Sequence, residues 1–410
     1  MRARGEASVL YLPIEPLRSR YTEQLCTRWR PDGFRRVGIP EDAVLTVLGQ
    51  SQGDDVETGR VLDAHGRMLY SLTQSAEVVR LLRDDYAVGD DVTLFFEDFW
   101  TPGLDAIRYA AHERQELRVA ARCWAQSVDP HDFTNDMLPW IGGYELAVAD
   151  RLDLLTVASD NLARLCHRAG WRPRRTLACG LPVDPREIRE RVGASIRPAD
   201  ERQPIVCFTS RLDLEKQPRF MLAVARRVLE RNREAIWRVT TSANTFRSND
   251  PTVLEELRQY AAIQPRFVML PGLSKDDYYG FLASSRVQFN CSLQDFVAFT
   301  QVEASALGCA RVYPDTPEFL ETAVGAQLYE TWDADKAAAA VLNQLARPTA
   351  TSHDVASLCD LGRLVECAAI VDPLIDDDAL PSSVFREPWT WEDVLRCTRA
   401  PDYKRWESGE

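Results

Sequence analysis

The feature that most restricts this chain is a regular alternation of short apolar, β-rich runs with longer segments of helical periodicity. From residue 205 onward it repeats four times: runs at 205–210, 237–242, 266–270 and 287–291 precede helical patterns at 218–232, 252–263, 275–284 and 300–308. Parallel strands need crossover connections of a dozen or more residues, which helices usually supply, so the pattern predicts parallel sheets covered by helices. The segment 218–232 shows the logic on one helix. Phe220, Met221, Val224, Ala225, Val228 and Leu229 recur at helical spacing and make one face for a sheet. The first half alternates less regularly, with strand-like runs at 8–13, 44–48, 91–97, 118–124 and 154–158. Helical patterns there cover 77–84, 103–112, 140–149 and 161–169, while 49–68 is polar, turn-rich and unassigned.

A length of 410 residues suits two or three domains. The stretch LACGLPVDPREIRERVGASIRPADERQP is rich in Pro, Gly and charge, as linkers are. The expected division is therefore a Rossmann-like N-terminal domain over 1–185, a linker over 186–203 and a second Rossmann-like domain over 204–390. The tail carries Trp389, Trp391 and Trp406, and 391–410 is expected to pack as a helix.

Composition excludes several classes. Lys and Arg number 49 against 62 Asp and Glu, a net charge of −13, which rules out a protein basic all over but not a locally basic cleft. The ten cysteines include no C-x-x-C pair and several lie in apolar runs, so buried thiols are expected, not a disulfide framework or zinc site. The opening MRARGEASVLYLPIEP has too short an apolar stretch for a cleaved signal, and no run approaches the roughly 18 apolar residues of a membrane span. A cytoplasmic protein, of a bacterium or a phage-infected cell, is expected. Only four of the 49 cationic residues are Lys: Lys216, Lys275, Lys336 and Lys404. A position that keeps Lys in such a chain draws interest, because an ammonium is a compact point charge where a guanidinium is a fork.

Open α/β sheets bind ligands beyond the carboxyl ends of their strands, so the loops there hold the candidate chemistry. In TSRLDLEKQPRF, Arg211 and Lys216 bracket a loop that runs into a helix start, a ready clamp for a diphosphate, though also readable as a solvated turn. In NCSLQDFVAFTQVEASALG, Asp295 stands in the loop and Glu303 within the following helix. A carboxylate there accepts paired hydrogen bonds from ribose hydroxyls; its plainer reading is an acid complementing the helix dipole.

Taken in order, these segments resemble the C-terminal domain of retaining, GT-B-fold glycosyltransferases of the large group-4 type. SRLDLEKQ matches that family's G-R-L-x-x-E-K-G, VMLPGLS its V-x-x-x-G-x-[LV] segment, and DFVAFTQVEASALG its E-G-F-G-x-x-x-x-E-A-x-A-x-G. LACGLPVD and PWTWEDVLRCTRA resemble more loosely the end of the N-terminal domain and the final helix. The similarity spans roughly 150–400. It implies a GT-B architecture, two Rossmann-like domains facing across a cleft, with the C-terminal helix crossing back over the first. It also implies a donor site made of Arg211, Lys216, Gly272, Leu273, Asp295, Thr300, Gln301, Val302 and Glu303. Arg211 and Lys216 would neutralise the leaving diphosphate, Asp295 would meet the donor sugar and Glu303 the ribose. Thr300 and Gln301 would offer backbone N–H groups to phosphate, and 271–273 would lie against the base. The resemblance further implies a nucleotide-sugar donor, a UDP-sugar first, and no bound metal, since cations supply that role. Phe296, Val297 and Ala298 replace the family's G-F-G, and Asp295 replaces its first Glu.

The N-terminal loops are the expected acceptor side: Glu15, Arg18 and Tyr21 after the first run, Asp98 and Trp100 in FFEDFWTPG, and Trp124, Gln126 and Asp129 in CWAQSVDPHDFTND. His131 in that last loop is the candidate catalytic histidine, its bland reading an ordinary loop residue. Strings such as PIEPLRSRYTEQ and DPHDFT also resemble phage and prokaryotic glycosyltransferase-like proteins, which admits hydroxymethylated pyrimidine in phage DNA as an acceptor beside glycans and small molecules. Competing readings are a non-catalytic binding or scaffold protein of the same fold and a metal-dependent enzyme using Asp376, Asp377 and Asp378. The lack of G-x-G-x-x-G after any expected strand disfavours a dehydrogenase.

Overall fold

A computed structural model describes residues 8–348, apart from 18–19, 37–38, 52–63, 88–90, 111, 113, 115–116, 125, 133, 242–244, 297 and 324. The tail expected to pack back, and Asp376–Asp378 with it, lie outside the described residues. The described chain forms two units, the first ending at Val183 and the second beginning at Asp184.

Unit 1 runs β1 (Val9–Leu12), α1 (Tyr21–Gln24), a π-turn at Leu25–Trp29, α2 (Arg30–Arg36), β2 (Val44–Thr46), α3 (Ala64–Asp84), β3 (Thr93–Phe96) and α4 (Leu104–Ala110). It continues through β4 (Arg118–Arg122), α5 (Leu138–Ala149), β5 (Leu154–Val157), α6 (Asp160–Arg168) and β6 (Thr176–Ala178). The six strands pair in parallel in the order β2-β1-β3-β4-β5-β6. β1, β3 and β5 are buried at every position, as in a sheet covered on both faces.

Two elements of unit 1 exceed what periodicity predicts. α3 starts at Ala64, well before residue 77, because its first half carries Gly66 and polar residues and leaves Met68, Leu69 and Leu72 exposed, so no clean apolar stripe marks it. The helical stretch between Tyr21 and Arg36 shows no regular helical period in sequence because a π-turn interrupts it.

Unit 2 begins with α7 (Pro185–Val192), inside the segment expected to be a linker. Asp184 caps this helix by accepting the Arg186 N–H at 2.9 Å, and Pro185 fits its first turn. Ile188 is its buried residue, too little apolar content to advertise a helix. Arg189 reaches the Ala306 carbonyl at 2.8 Å, so the segment is packed structure of unit 2. β7 (Gln203–Phe208), α8 (Pro218–Arg231), β8 (Ile236–Thr240), α9 (Pro251–Ile263), β9 (Phe267–Leu270), α10 (Lys275–Ser284) and β10 (Ser285–Phe289) follow. α11 (Phe299–Ala306), β11 (Ala310–Pro314), α12 (Pro317–Thr322), β12 (Gln327–Tyr329) and α13 (Ala334–Ala346) complete it.

The second sheet is also parallel, ordered β12-β11-β10-β7-β8-β9. The six apolar residues of the α8 stripe all lie buried in the unit 2 core, with Trp237, Phe289 and Val341. Gly308, φ 74°, follows α11, where a left-handed residue ends a helix. A Cβ there would sit 3.0 Å from Nη2 of the buried Arg202, which donates to the Leu307 carbonyl. All seven described cysteines are buried and none is in a disulfide. Among the described residues no helix is long and apolar enough to cross a membrane.

Candidate functional site

In unit 2 the strand order reverses between β7 and β10, with β8 and β9 to one side and β11 and β12 to the other. Such a switch point opens a crevice at the carboxyl ends of the two strands. The loops that leave β7 and β10 there carry the residues singled out by sequence. After β7 a short 3-10 turn, Leu214–Lys216, is followed by Gln217 at φ 49°, and α8 begins. Gln217 stands where the family motif has Gly, and it adopts the left-handed backbone that Gly takes without steric cost.

The turn draws the Lys216 side chain inward, to 11% exposure. Its Nζ donates to the Gln294 carbonyl at 3.1 Å and lies 3.4 Å from Asp295 Oδ2. Asn290 Nδ2 at 3.4 Å and Ser292 Oγ at 3.3 Å donate to the same carboxylate oxygen. The Leu293 N–H donates to the Glu215 carbonyl at 2.8 Å, stitching the two loops across the switch point. Lys216 and Asp295 are thereby brought together.

Arg211 is not brought to them. Its guanidinium turns to its own loop, 2.7 Å from Asp213 Oδ2 and 2.7 Å from Glu215 Oε1, and stays 38% exposed.

α11 has Ala298 at its N-cap and no side-chain cap, so the positive end of its dipole lies at this turn. Thr300 lies half-buried in that turn. Gln301 departs from expectation: its N–H returns to the Ala298 carbonyl at 3.0 Å and its Nε2 donates to the Thr322 carbonyl at 2.7 Å, because the side chain faces the interior. Val302 is fully buried packing. Glu303 is buried as well, its side chain 3% exposed, and both oxygens accept bonds. Lys275 Nζ at 2.5 Å and Tyr278 Oη at 2.8 Å are the short donors, with Tyr279 Oη at 3.4 Å. Burial, and then the Glu303 charge, push the Tyr278 phenol far above its ordinary value, so it stays a donor. Gly272 turns the preceding loop at φ 72°, Leu273 N–H holds the Thr241 carbonyl at 3.3 Å, and Ser274 caps α10 through the Asp277 N–H.

Unit 1 has its own switch point, between β1 and β3. Arg18 lies outside the described residues. Glu15 accepts from Ser51 Oγ at 2.6 Å, and the Tyr21 ring stands 6.1 Å from that of Trp124. Asp98 pairs with Arg67 and accepts the Trp100 N–H at 3.0 Å. Burial lowers the Arg67 pKa, with Tyr21 and Glu15 opposing the shift. The neighbouring Glu97 is fully buried and forked by Arg30, at 2.8 and 2.9 Å, with Tyr11 Oη at 3.0 Å. Trp124 donates Nε1 to the Glu97 carbonyl at 2.6 Å.

In the next loop Gln126 accepts the Asp129 N–H at 2.8 Å and Asp129 accepts the His131 N–H at 2.8 Å, so both shape the turn that carries His131. Glu145 of α5 holds the β3 and β4 loops to each other. It accepts Trp100 Nε1 and the Ser127 N–H, each at 2.8 Å, and Ser127 Oγ at 2.5 Å. Burial raises its pKa and those donors oppose the rise.

Sequence reasoning missed Arg67, Glu145, Lys275 and Tyr278. For Lys275 the signal was present, since it is one of four lysines; the others become visible only when helices are docked on the sheet.

No protein-family model matches the sequence, and no curated protein sequence matches it. Solved structures do. Sucrose-phosphate synthase from Thermosynechococcus elongatus superposes with a TM-score of 0.58 at 15% identity, covering 89% of this chain and 96% of that one. Anabaena HepE, solved with UDP and glucose, gives 0.57 at 15% identity, covering 88% and 98%. An α,α-trehalose-phosphate synthase (UDP-forming) from Burkholderia vietnamiensis gives 0.52 at 17%, covering 76% and 78%. With two Rossmann-like units on parallel six-stranded sheets, the chain has the GT-B fold and resembles the GT-B glycosyltransferases.

Proposed function

We propose that the protein is a glycosyltransferase that moves a sugar from a nucleoside-diphosphate sugar, a UDP-sugar first, to a hydroxyl acceptor with retention at the anomeric carbon. The observation that carries this reading is the Lys216–Asp295 pair spanning the unit 2 switch point beside the uncapped start of α11. In the reaction the bond from the anomeric carbon to the diphosphate breaks and a bond to the acceptor oxygen forms; the acceptor proton passes to the departing diphosphate. The chemical demand is stabilisation of that leaving anion. Lys216 meets it with a point charge and the start of α11 at Thr300 with the positive end of its dipole, while Arg211 stays with Asp213 and Glu215.

Asp295, held by Lys216, Asn290 and Ser292, faces the donor sugar in this reading, and Glu303 faces the ribose. Gly272 and Leu273 line the base. The acceptor belongs to the unit 1 loops, where Asp98, Arg67, Trp100 and Trp124 gather around the β1–β3 switch point, with Glu15, Tyr21 and His131 on adjoining loops. HepE, solved with UDP and glucose, and the UDP-forming trehalose-phosphate synthases support the choice of a uridine nucleotide. Cations of the chain stand in for a metal.

The test is a thermal-shift screen of UDP, GDP and ADP, followed by turnover of the matching nucleotide-sugar. Stabilisation by one of them, with sugar release that Lys216→Ala removes, is expected. No shift with any nucleotide overturns the reading. Offering hydroxymethylated DNA beside phosphorylated and free sugars then identifies the acceptor class.

A further inference from the structure

Glu303 does not stand open to a ribose. Its carboxylate has about four lone-pair directions, and three donors already use them: Lys275 and Tyr279 on Oε1, Tyr278 on Oε2. A ribose presents two neighbouring hydroxyls, so Glu303 alone cannot accept both without losing a present partner. Lys275 alters the arithmetic. Its ammonium has three donors, and the side chain is 34% exposed at the first position of α10, directly after the 271–273 loop. It is held in place by Glu303 and by the faces of Tyr278 and Tyr279, whose centroids lie 4.9 and 4.8 Å from Nζ. The site therefore offers one remaining acceptor direction beside free N–H donors, which suits a vicinal diol: one hydroxyl donates, its neighbour accepts.

We propose that Lys275, clamped between the Glu303 carboxylate and the Tyr278 and Tyr279 rings, reads the ribose diol jointly with Glu303 and sets the site's preference for ribonucleotides. This rests on the donor-site reading above. Lys275 is thus a specificity-determining residue and Tyr278 a positioning residue that holds Glu303. The charge matters, since a residue without charge at this place would supply neither the donor nor the neutralising partner of a buried carboxylate.

The experiment is calorimetric titration of the full chain with UDP and with 2′,3′-dideoxy-UDP, for the wild type, Lys275→Met, Lys275→Arg and Tyr278→Phe, each checked for cooperative unfolding above the titration temperature. In the wild type the dideoxy nucleotide should bind about tenfold or more weaker, the worth of hydrogen bonds to charged groups. Lys275→Met should bind UDP as weakly as the dideoxy compound, removing the preference, and Lys275→Arg should restore most of it. Tyr278→Phe should lower the preference severalfold and serves if Lys275→Met does not fold. A preference that is absent in the wild type, or unchanged in Lys275→Met and Tyr278→Phe, overturns the proposal while UDP binding itself leaves the donor-site reading standing. Failure of the wild type to bind UDP overturns both.

Discussion

Both units are parallel six-stranded sheets with a switch point beside their first strand, but one strand lies beyond it in unit 1 and two in unit 2, and their charged groups are held differently. In unit 2 the charged residues at the switch point keep a side open: Arg211, Lys275 and, to a smaller degree, Asp295 retain exposed surface. In unit 1, Glu97 at the end of β3 and Glu145 on α5 are sealed, the first by Arg30 and Tyr11, the second by Trp100 and Ser127. A buried carboxylate with all its partners in place holds loops; a carboxylate or cation with a free direction can meet a substrate. The contrast gives Glu97 and Glu145 structural work, and the chemical work proposed above falls to Lys216 and Asp295.

The largest test removes half of a sealed pair. Arg30→Met leaves Glu97 charged and buried, which should cost about 3–5 kcal/mol, read by denaturant unfolding; a loss below about 1 kcal/mol would erase the distinction between the units. Lys216→Ala sharpens it from the other side: transfer should fall by about 10²–10³ with little change in melting temperature. A large stability loss with normal turnover would make Lys216 a structural residue like Arg30.

Trp100→Phe deletes one bond to Glu145 and should cost about 1 kcal/mol, with the β3 loop loosened in hydrogen exchange. The pH dependence of Glu145 is gentler still. Burial raises its folded pKa above the unfolded 4.5, so the folded state holds the proton more tightly. Its contribution is fully present below 4.5 and is lost as pH rises through the folded value. Glu145→Gln should flatten that part of the stability–pH curve; an unchanged slope refutes the assignment. Finally, EDTA should leave transfer unchanged if Lys216 stands in for a metal.

Much of the fold was legible because burial writes itself into periodicity. The α8 stripe and the strands β7 to β10 follow the sequence within a residue or two, since each is apolar along the side it buries. α7 and the first half of α3 were not legible: each contributes few apolar residues, and each is held by caps, ion pairs or loops that composition does not display. The site divides similarly. Lys216 and Asp295 were named from order and spacing, and they meet. Arg211 was named with them, and it turns to Asp213 and Glu215, because two acids of its own loop lie within reach.

The sequence by itself determined that this chain builds parallel sheets crossed by helices, and which strand-end loops carry cations and carboxylates. Periodicity is local, and local information suffices for that. Only the tertiary structure decided the strand orders, hence where each switch point opens, and which charged groups are consumed by their neighbours. Glu303 shows why. Its partners Lys275 and Tyr278 come from another helix, and whether an acid is free or taken depends on distances that no spacing along the chain records.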